Sequence, residues 1–161
     1  MAIRVILGED NFIVRQGVRQ VLADADGVEV VAECEHVDAL HAAVAEHLPD
    51  VVLTDIRMPP TLTDEGIRLA AELRASHPEI GVVVLSQYAD PTYGLSLLEG
   101  GSDGRAYLLK ERVHHRGELV GGRGDQLLRE RLVCADAALV HQQLERVRDE
   151  SLLCAVVVVA L

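Results

Sequence analysis

Five short apolar runs, rich in valine, recur along the first 110 residues and constrain the fold more than any other feature. They cover residues 3–7, 28–32, 51–53, 82–85 and 106–109. Each run is continuous and does not alternate with polar residues, which is typical of parallel strands covered on both faces. The pattern therefore predicts five strands of one parallel sheet.

Helical patterns separate these runs. Apolar residues recur with helical spacing over residues 14–25, 37–46, 65–76 and 91–99. Asp64 is placed to cap the third segment, and Pro91 suits the first turn of the fourth. Because strands and helices alternate, we predict an α/β fold, an open parallel sheet with helices on both faces. Sheets of this kind place their functional residues at the carboxyl ends of the strands.

Acidic residues dominate the charge of this predicted domain. The chain has a formal net charge of −11, and residues 1–120 carry 20 acidic against 10 basic residues. Such a surface repels a phosphate backbone, so we expect no direct binding of nucleic acid by this part. No apolar run reaches the roughly 18 residues that a membrane span needs. We therefore expect no membrane association and a cytoplasmic location.

Polar residues directly follow four of the predicted strands. Glu9 and Asp10 come after the first strand, Asp55 after the third, Ser86 after the fourth and Lys110 after the fifth. Parallel pairing would bring all of them to one edge of the sheet. Lys110 is the single lysine among 15 basic residues. This exception indicates a position that needs a compact point charge and not a planar guanidinium.

Three carboxylates at one edge are costly unless a cation neutralises them. Oxygen ligands suit Mg²⁺, and a backbone carbonyl near Arg57 would add another ligand. Beside such an ion, Asp55 is a candidate nucleophile toward phosphorus. Lys110 would pair with the phosphoryl oxygens and the Ser86 hydroxyl would donate to one of them. We therefore predict Asp55, Lys110 and Ser86 as the catalytic set.

These residues resemble the bacterial response-regulator receiver domains of two-component systems. The resemblance rests on Glu-Asp after the first strand, Asp-Ile-Arg-Met-Pro at residues 55–59, Ser86, and Tyr-Leu-Leu-Lys at residues 107–110. The Leu-Leu-Lys ending without a following proline is most similar to the NarL/LuxR type. The resemblance implies a flavodoxin-like sheet with strand order 2-1-3-4-5.

The resemblance also implies a function. Asp55 would be phosphorylated by a sensor histidine kinase in a Mg²⁺-dependent reaction, in which the domain assists its own phosphorylation and dephosphorylation without being an enzyme for other substrates. Ser86 and Tyr107 would form a switch, because the hydroxyl moves toward the phosphoryl group and the aromatic ring turns inward. The output in a longer parent protein would be regulation of transcription. The implied metal ligands are Glu9, Asp10, Asp55 and the backbone carbonyl of Arg57.

One segment beside this predicted site departs from the family pattern. Residues 59–66 are longer than the common loop after the phosphoacceptor. We expect this loop to cover part of the site and to affect the lifetime of the phosphoryl group or the choice of kinase.

The resemblance fades after Val120, so we divide the chain into a receiver domain at residues 1–120 and an atypical tail at residues 121–161. The tail has a helical pattern over residues 125–150 but no sequence typical of a helix-turn-helix domain. Two interpretations stay open. The tail is the product of a shifted reading frame or a truncation, or it is a native dimerisation helix, although its heptad pattern lapses early.

The same residues bear on three other functions. A metal-dependent phosphatase would need a second acid two residues after its nucleophile, where this chain has Arg57. A receiver-like module that is never phosphorylated has no support from the intact residue set. A nucleotide-binding flavodoxin-like protein would need a glycine-rich loop after the first strand, where two acids stand instead. The kinase, its stimulus, the target genes and the oligomeric state, including a homodimer, stay open.

Overall fold

The computed structural model describes residues 2–25, 27–87, 91–98 and 104–110. The predicted tail at residues 121–161 lies outside the described residues. The strands and helices alternate along the chain in the order β1 (Ile3–Gly8), α1 (Phe12–Ala23), β2 (Val28–Cys34), α2 (Val37–His47), β3 (Val51–Asp55), α3 (Glu65–Ser76), β4 (Gly81–Ser86), α4 (Pro91–Leu98) and β5 (Arg105–Leu109).

All five strands pair in parallel in the order β2-β1-β3-β4-β5. This confirms the predicted fold class and strand order. Two apolar cores lie on opposite faces of the sheet. One contains Val18, Val21 and Leu22 of α1, and the other contains apolar residues of α2, α3 and α4. Helices on both faces are therefore confirmed as well.

The strands differ in how well they are covered. Every residue of β3 and β4 is buried, as their continuous apolar sequences predict. The outer strand β2 is only half-buried and exposes Glu29 and Glu33. A strand at the edge of the sheet is paired on one side only, so its acidic residues can reach water. Val30 packs against the core on the α1 side and Val31 against the core on the α2 side, so both faces of β2 are covered, although less completely than those of β3 and β4.

The helices begin at residues whose chemistry suits a helix start, with one correction. In α1, the Oδ1 atom of Asn11 accepts hydrogen bonds from two backbone N–H groups of the first turn. Pro91 is the first residue of α4, as predicted. Asp64 precedes α3, but its side chain makes no capping hydrogen bond and instead pairs with Arg68 at 2.9 Å. Among the described residues, no helix has the length and hydrophobicity to cross a membrane.

The strand register aligns the carboxyl ends of four strands. Gly8 of β1 lies beside Thr54 of β3, so Glu9 follows at the level of Asp55. Asp55 pairs with Leu85, and Ser86 pairs with Leu109. The next residue after Leu109 is Lys110. Because the side chains at these ends face the same edge of the sheet, the register alone brings the predicted site residues together.

Candidate functional site

Three carboxylates and one ammonium group meet at this edge. Ligand oxygens of Glu9, Asp10 and Asp55 all lie within 4.8 Å of one another. Glu9 and Asp55 are buried, whereas Asp10 is exposed. The Nζ atom of Lys110 lies 2.8 Å from Glu9 Oε2 and 2.8 Å from Asp55 Oδ2. Three negative charges therefore face one positive charge, and the cluster retains an excess of negative charge.

The backbone of Glu9 is held from two sides. Its N–H donates to the carbonyl of Cys34 at 3.0 Å, and its carbonyl accepts from the guanidinium of Arg15 at 2.7 Å. Arg15 is itself buried and pairs with Glu35 at 2.6 Å. The side-chain Oε1 of Glu9 accepts from the N–H of Asn11 at 3.2 Å. The loop that carries the first two acids is thus fixed before any ligand binds.

The other oxygen of Glu9 is incompletely satisfied. Glu9 is fully buried, and its Oε2 atom has no hydrogen bond of acceptable geometry among the described residues, although Lys110 forms an ion pair with it. Burial raises the pKa of Glu9 above its ordinary value, and the attraction of Lys110 only partly offsets this. Burial would lower the pKa of Lys110, but its interactions with Asp55 and Glu9 outweigh that effect and raise it.

These features fit a hard divalent cation. A buried carboxylate oxygen whose ion pair is with an ammonium group shared by Asp55 still has a lone pair for a metal ion. Two further carboxylates lie within reach, and an additional cation would relieve the excess negative charge. Oxygen donors of this kind suit Mg²⁺, which retains several of its water ligands.

Asp55 ends β3 and is held close to the start of α3. Its Oδ1 atom accepts from the N–H of Ile56 at 2.7 Å, and its Oδ2 atom accepts from Lys110 at 2.8 Å. Gly66 lies directly against this turn, and a Cβ atom there would come within 2.1 Å of the Asp55 carbonyl oxygen. Only glycine fits this approach. Sequence reasoning missed Gly66, although a glycine inside a helical pattern is a signal of close packing.

A pocket of about 340 Å³ opens beside Asp55. Arg57 lies at this pocket with its guanidinium 6.0 Å from the centre of the Tyr93 ring. The role of its backbone carbonyl as a metal ligand stays a prediction. Tyr107 does not line the pocket but is buried in the core on the α4 side. The predicted role of Tyr107 as a switch residue stays a prediction. The pocket is lined by Asp10, Asp55, Ile56, Arg57, Leu62, Ser86, Gln87, Tyr93 and Lys110.

The loop between β3 and α3 is organised around Glu65, a residue that sequence reasoning treated only as the start of a helix. Glu65 is 3 % exposed. Its carboxylate accepts from the backbone N–H groups of Met58 at 3.2 Å and Thr63 at 2.9 Å, and from the hydroxyl of Thr61. Burial alone would raise the pKa of Glu65, but these hydrogen bonds lower it from 4.5 to about 2. Its anion is therefore a stable part of the loop.

The sequence of this chain is similar to those of known proteins. The sequence profile of the response regulator receiver domain matches residues 5–116. The transcriptional regulatory protein DegU of Brevibacillus brevis is 35% identical over 109 residues, which are 68% of this chain and 44% of DegU. The chain thus spans about half the length of the curated relatives that it matches.

Solved structures with the same fold include two receiver domains. The signal receiver domain of NarL from Mycobacterium tuberculosis superimposes with a TM-score of 0.62 and 27% identity, covering 88% of this chain and 96% of that domain. The non-phosphorylated receiver domain of RcsB from Escherichia coli gives a TM-score of 0.61 and 27% identity, over 70% of this chain and 85% of the RcsB chain.

Proposed function

Because this chain belongs to the response regulator receiver domain family of two-component systems, and to its NarL/LuxR type, we propose that Asp55 accepts a phosphoryl group from a sensor histidine kinase. One observation carries the proposal. Asp55 ends its strand with one carboxylate oxygen 2.8 Å from Lys110 and within 4.8 Å of the ligand oxygens of Glu9 and Asp10. The chain thus combines a nucleophile, a positive charge and an acidic ligand set in one pocket.

The proposed reaction is a direct transfer to a carboxylate oxygen. An oxygen of Asp55 forms a bond to the phosphorus of a phosphorylated histidine, and the bond from phosphorus to the imidazole nitrogen breaks. The electron pair of that bond returns to the imidazole, which then takes a proton from solvent. Carboxylates form such acyl phosphates in phosphoryl transfer enzymes. The catalysis consists mainly of positioning and charge neutralisation.

The residues of the pocket divide these tasks. Lys110, already paired with Asp55, would neutralise the transferred phosphoryl oxygens. Ser86 lines the same pocket and would donate its hydroxyl to one of them. Glu9, Asp10, Asp55 and the Arg57 carbonyl would hold Mg²⁺. When bound, this ion supplies positive charge that lowers the repulsion between the attacking carboxylate and the phosphoryl oxygens.

Phosphorylation would then change the surface of the domain. A phosphoryl group adds a charge of about −1.5 to −2 and three acceptor oxygens to Asp55. Ser86 and Tyr107 would respond as the switch residues, with the hydroxyl of Ser86 moving toward the phosphoryl group and the ring of Tyr107 filling the space that it leaves. Tyr107 lies in the core beside α4 and β5, so the output surface would include these two elements.

The wider role is proposed from the relatives. DegU is named a transcriptional regulatory protein and is more than twice as long as its matched region. We infer that this receiver controls transcription through an output region in a longer parent protein. Its own net negative charge disfavours contact with DNA. A cytoplasmic location, a kinase partner and a homodimer of the phosphorylated form belong to the same proposal.

Incubation with Mg²⁺ and acetyl phosphate tests the central step. Intact-mass analysis should show one added phosphoryl group, which hydroxylamine removes because it cleaves acyl phosphates. Asp55→Asn should abolish the addition. Asp38→Asn, which changes an exposed acid of α2, is the matched control and should behave as the wild type. Phosphoryl uptake that persists in Asp55→Asn, or that does not depend on Mg²⁺, would contradict the proposal.

A further inference from the structure

Leu62 adopts an unusual conformation at the entrance of the Asp55 pocket. Its side chain is 51% exposed, and its φ angle is 57°. The left-handed region is unfavourable for a branched side chain, and the exposure of a large apolar group adds a further cost. Leu62 nevertheless lines the pocket together with Asp55 and Lys110. A residue held in two unfavourable ways beside a reactive group calls for a physical cause.

The cause is the network around Glu65. One carboxylate oxygen accepts from the backbone N–H groups of Met58 and Thr63, which lie on either side of Leu62 in sequence. The other oxygen accepts from the hydroxyls of Thr61 and Thr63, the latter at 3.4 Å, and pairs with Arg68 at 3.2 Å. Glu65 thereby ties both ends of the segment that carries Leu62 to the first residue of α3.

Two further contacts fix this segment relative to Asp55. The N–H of Leu62 donates to the carbonyl of Met58 at 3.1 Å, and Met58 is fully buried. The N–H of Gly66 donates to the carbonyl of Ile56 at 2.9 Å, directly after Asp55. The loop is therefore anchored in the core at one end and against the phosphoacceptor turn at the other. Leu62 has little freedom to leave the pocket entrance.

We propose that Glu65 is a positioning residue that holds Leu62 over the pocket entrance, where the Leu62 side chain restricts the access of water to phosphorylated Asp55. The inference rests on the proposed function, because it concerns the lifetime of the aspartyl phosphate. Glu65 does not touch the reacting atoms; it acts through the loop.

The step that Leu62 would slow is hydrolysis of the aspartyl phosphate. A water oxygen forms a bond to phosphorus, and the bond from phosphorus to the Asp55 oxygen breaks. The electron pair of that bond returns to the Asp55 carboxylate, a proton of the water passes to solvent, and inorganic phosphate leaves. An apolar side chain at the entrance offers this water no hydrogen bond and occupies part of its path.

The test compares the decay of the aspartyl phosphate in the full chain and its variants. Each protein is phosphorylated with acetyl phosphate and Mg²⁺, the donor is removed, and the phosphorylated fraction is followed by intact mass. Leu62→Gly should accelerate decay about threefold or more, since glycine adopts the same φ angle freely and removes the side chain. Leu62→Ala also removes most of the side chain but keeps a Cβ atom. If Leu62→Ala accelerates decay as much as Leu62→Gly does, the effect comes from loss of the side chain and not from added backbone freedom.

Glu65→Gln should accelerate decay to a similar extent, because an amide NH₂ group cannot accept the hydrogen bonds that hold the loop. If Glu65 acts through Leu62, the double variant should decay no faster than the faster single variant, which a purely structural role of Glu65 would not produce. Glu46→Gln changes an exposed glutamate of α2 and is the control for charge loss.

Three results would overturn the inference. The first is an unchanged decay rate in Leu62→Gly and Leu62→Ala. The second is a double variant whose acceleration of decay equals the product of the accelerations in the Leu62 and Glu65 single variants. The third is acceleration by Glu46→Gln equal to that by Glu65→Gln. Failure of the wild type to take up any phosphoryl group would instead overturn the proposed function, and the inference with it.

Discussion

Two buried glutamates flank the candidate phosphoacceptor, and their environments differ in a way that explains their roles. Glu9, in the loop after β1, is fully buried, and burial raises its pKa above the ordinary value. Glu65, at the start of α3, is 3 % exposed, yet its hydrogen bonds lower its pKa to about 2. Both side chains have little exposed surface, but Glu9 lies deeper in the protein than Glu65. Burial opposes the charged form of both carboxylates, and in Glu65 the hydrogen bonds outweigh it.

The two carboxylates also differ in their hydrogen-bond donors. Among the residues that the structure describes, Glu9 Oε1 accepts one backbone N–H, and Glu9 Oε2 forms an ion pair with Lys110, which is shared with Asp55. Both oxygens of Glu65 accept hydrogen bonds, and the donors include two backbone N–H groups. A carboxylate saturated with donors stabilises structure, whereas one with an open oxygen is available to bind a cation. The donors of Glu65 hold the loop, and the environment of Glu9 supports its proposed role as a metal ligand.

Acidification should remove the contribution of Glu65 to the free energy of unfolding. This is the largest effect expected from the difference between Glu65 and Glu9. The folded pKa of Glu65, about 2, lies below 4.5, so its stabilisation is present above pH 4.5 and is lost as the pH falls toward 2. The linkage corresponds to about 3 kcal/mol of unfolding free energy. Urea unfolding of the wild type should show this loss in full, and Glu65→Gln, already less stable at pH 7, should lack it.

The Glu46→Gln control should follow the wild-type pH dependence. If Glu65→Gln also follows the wild-type pH dependence, the pKa of Glu65 is not lowered in the folded protein, and its hydrogen bonds do not stabilise the anion.

Mg²⁺ should stabilise the protein through Glu9 and not through Glu65. At a concentration about one hundred times the Kd, a ligand that binds only the folded state adds about 2.7 kcal/mol. Thermal unfolding with and without EDTA should show this gain in the wild type and in Asp38→Asn. Glu9→Gln and Asp10→Asn should lose most of it, because each removes one carboxylate of the ligand set. Equal stabilisation of all four proteins would place the cation elsewhere.

The smallest expected effect concerns Glu9 without a divalent cation. Its raised pKa means that its charged form opposes folding, so this cost is absent below the ordinary pKa of glutamate and appears in full once the pH has risen through the raised value. Glu9→Gln in EDTA at pH 8 should therefore have a higher unfolding free energy than the wild type. The gain should disappear on acidification. A loss of stability at pH 8 would show that Lys110 compensates Glu9 completely.

The sheet and the residues at its edge could be predicted from local patterns. Continuous valine-rich runs identified β3 and β4, and the residues after the strands placed Glu9, Asp55, Ser86 and Lys110 at one edge. The parallel register then brought them together as expected. The roles proposed for them remain predictions, since they depend on phosphoryl chemistry that only experiment tests.

The loop after β3 could not be predicted in the same way. The sequence favoured Asp64 as a helix cap, yet its side chain pairs with Arg68 and the adjacent Glu65 binds the loop instead. Both residues are acidic and both stand at a helix start, where either is favourable. Sequence position does not distinguish them, because the donors to Glu65 come from residues as far back as Met58.

By itself the sequence determined five parallel strands, the helices between them and the edge at which polar residues gather. It could do so because strand and helix periods are local properties of the chain, and parallel pairing then fixes which ends meet. Only the tertiary structure decided which buried carboxylate is satisfied and which is left open, and that Leu62 stands at the pocket entrance. Those outcomes depend on donors and close approaches, such as Gly66 against Asp55, that exist only after the loops have packed.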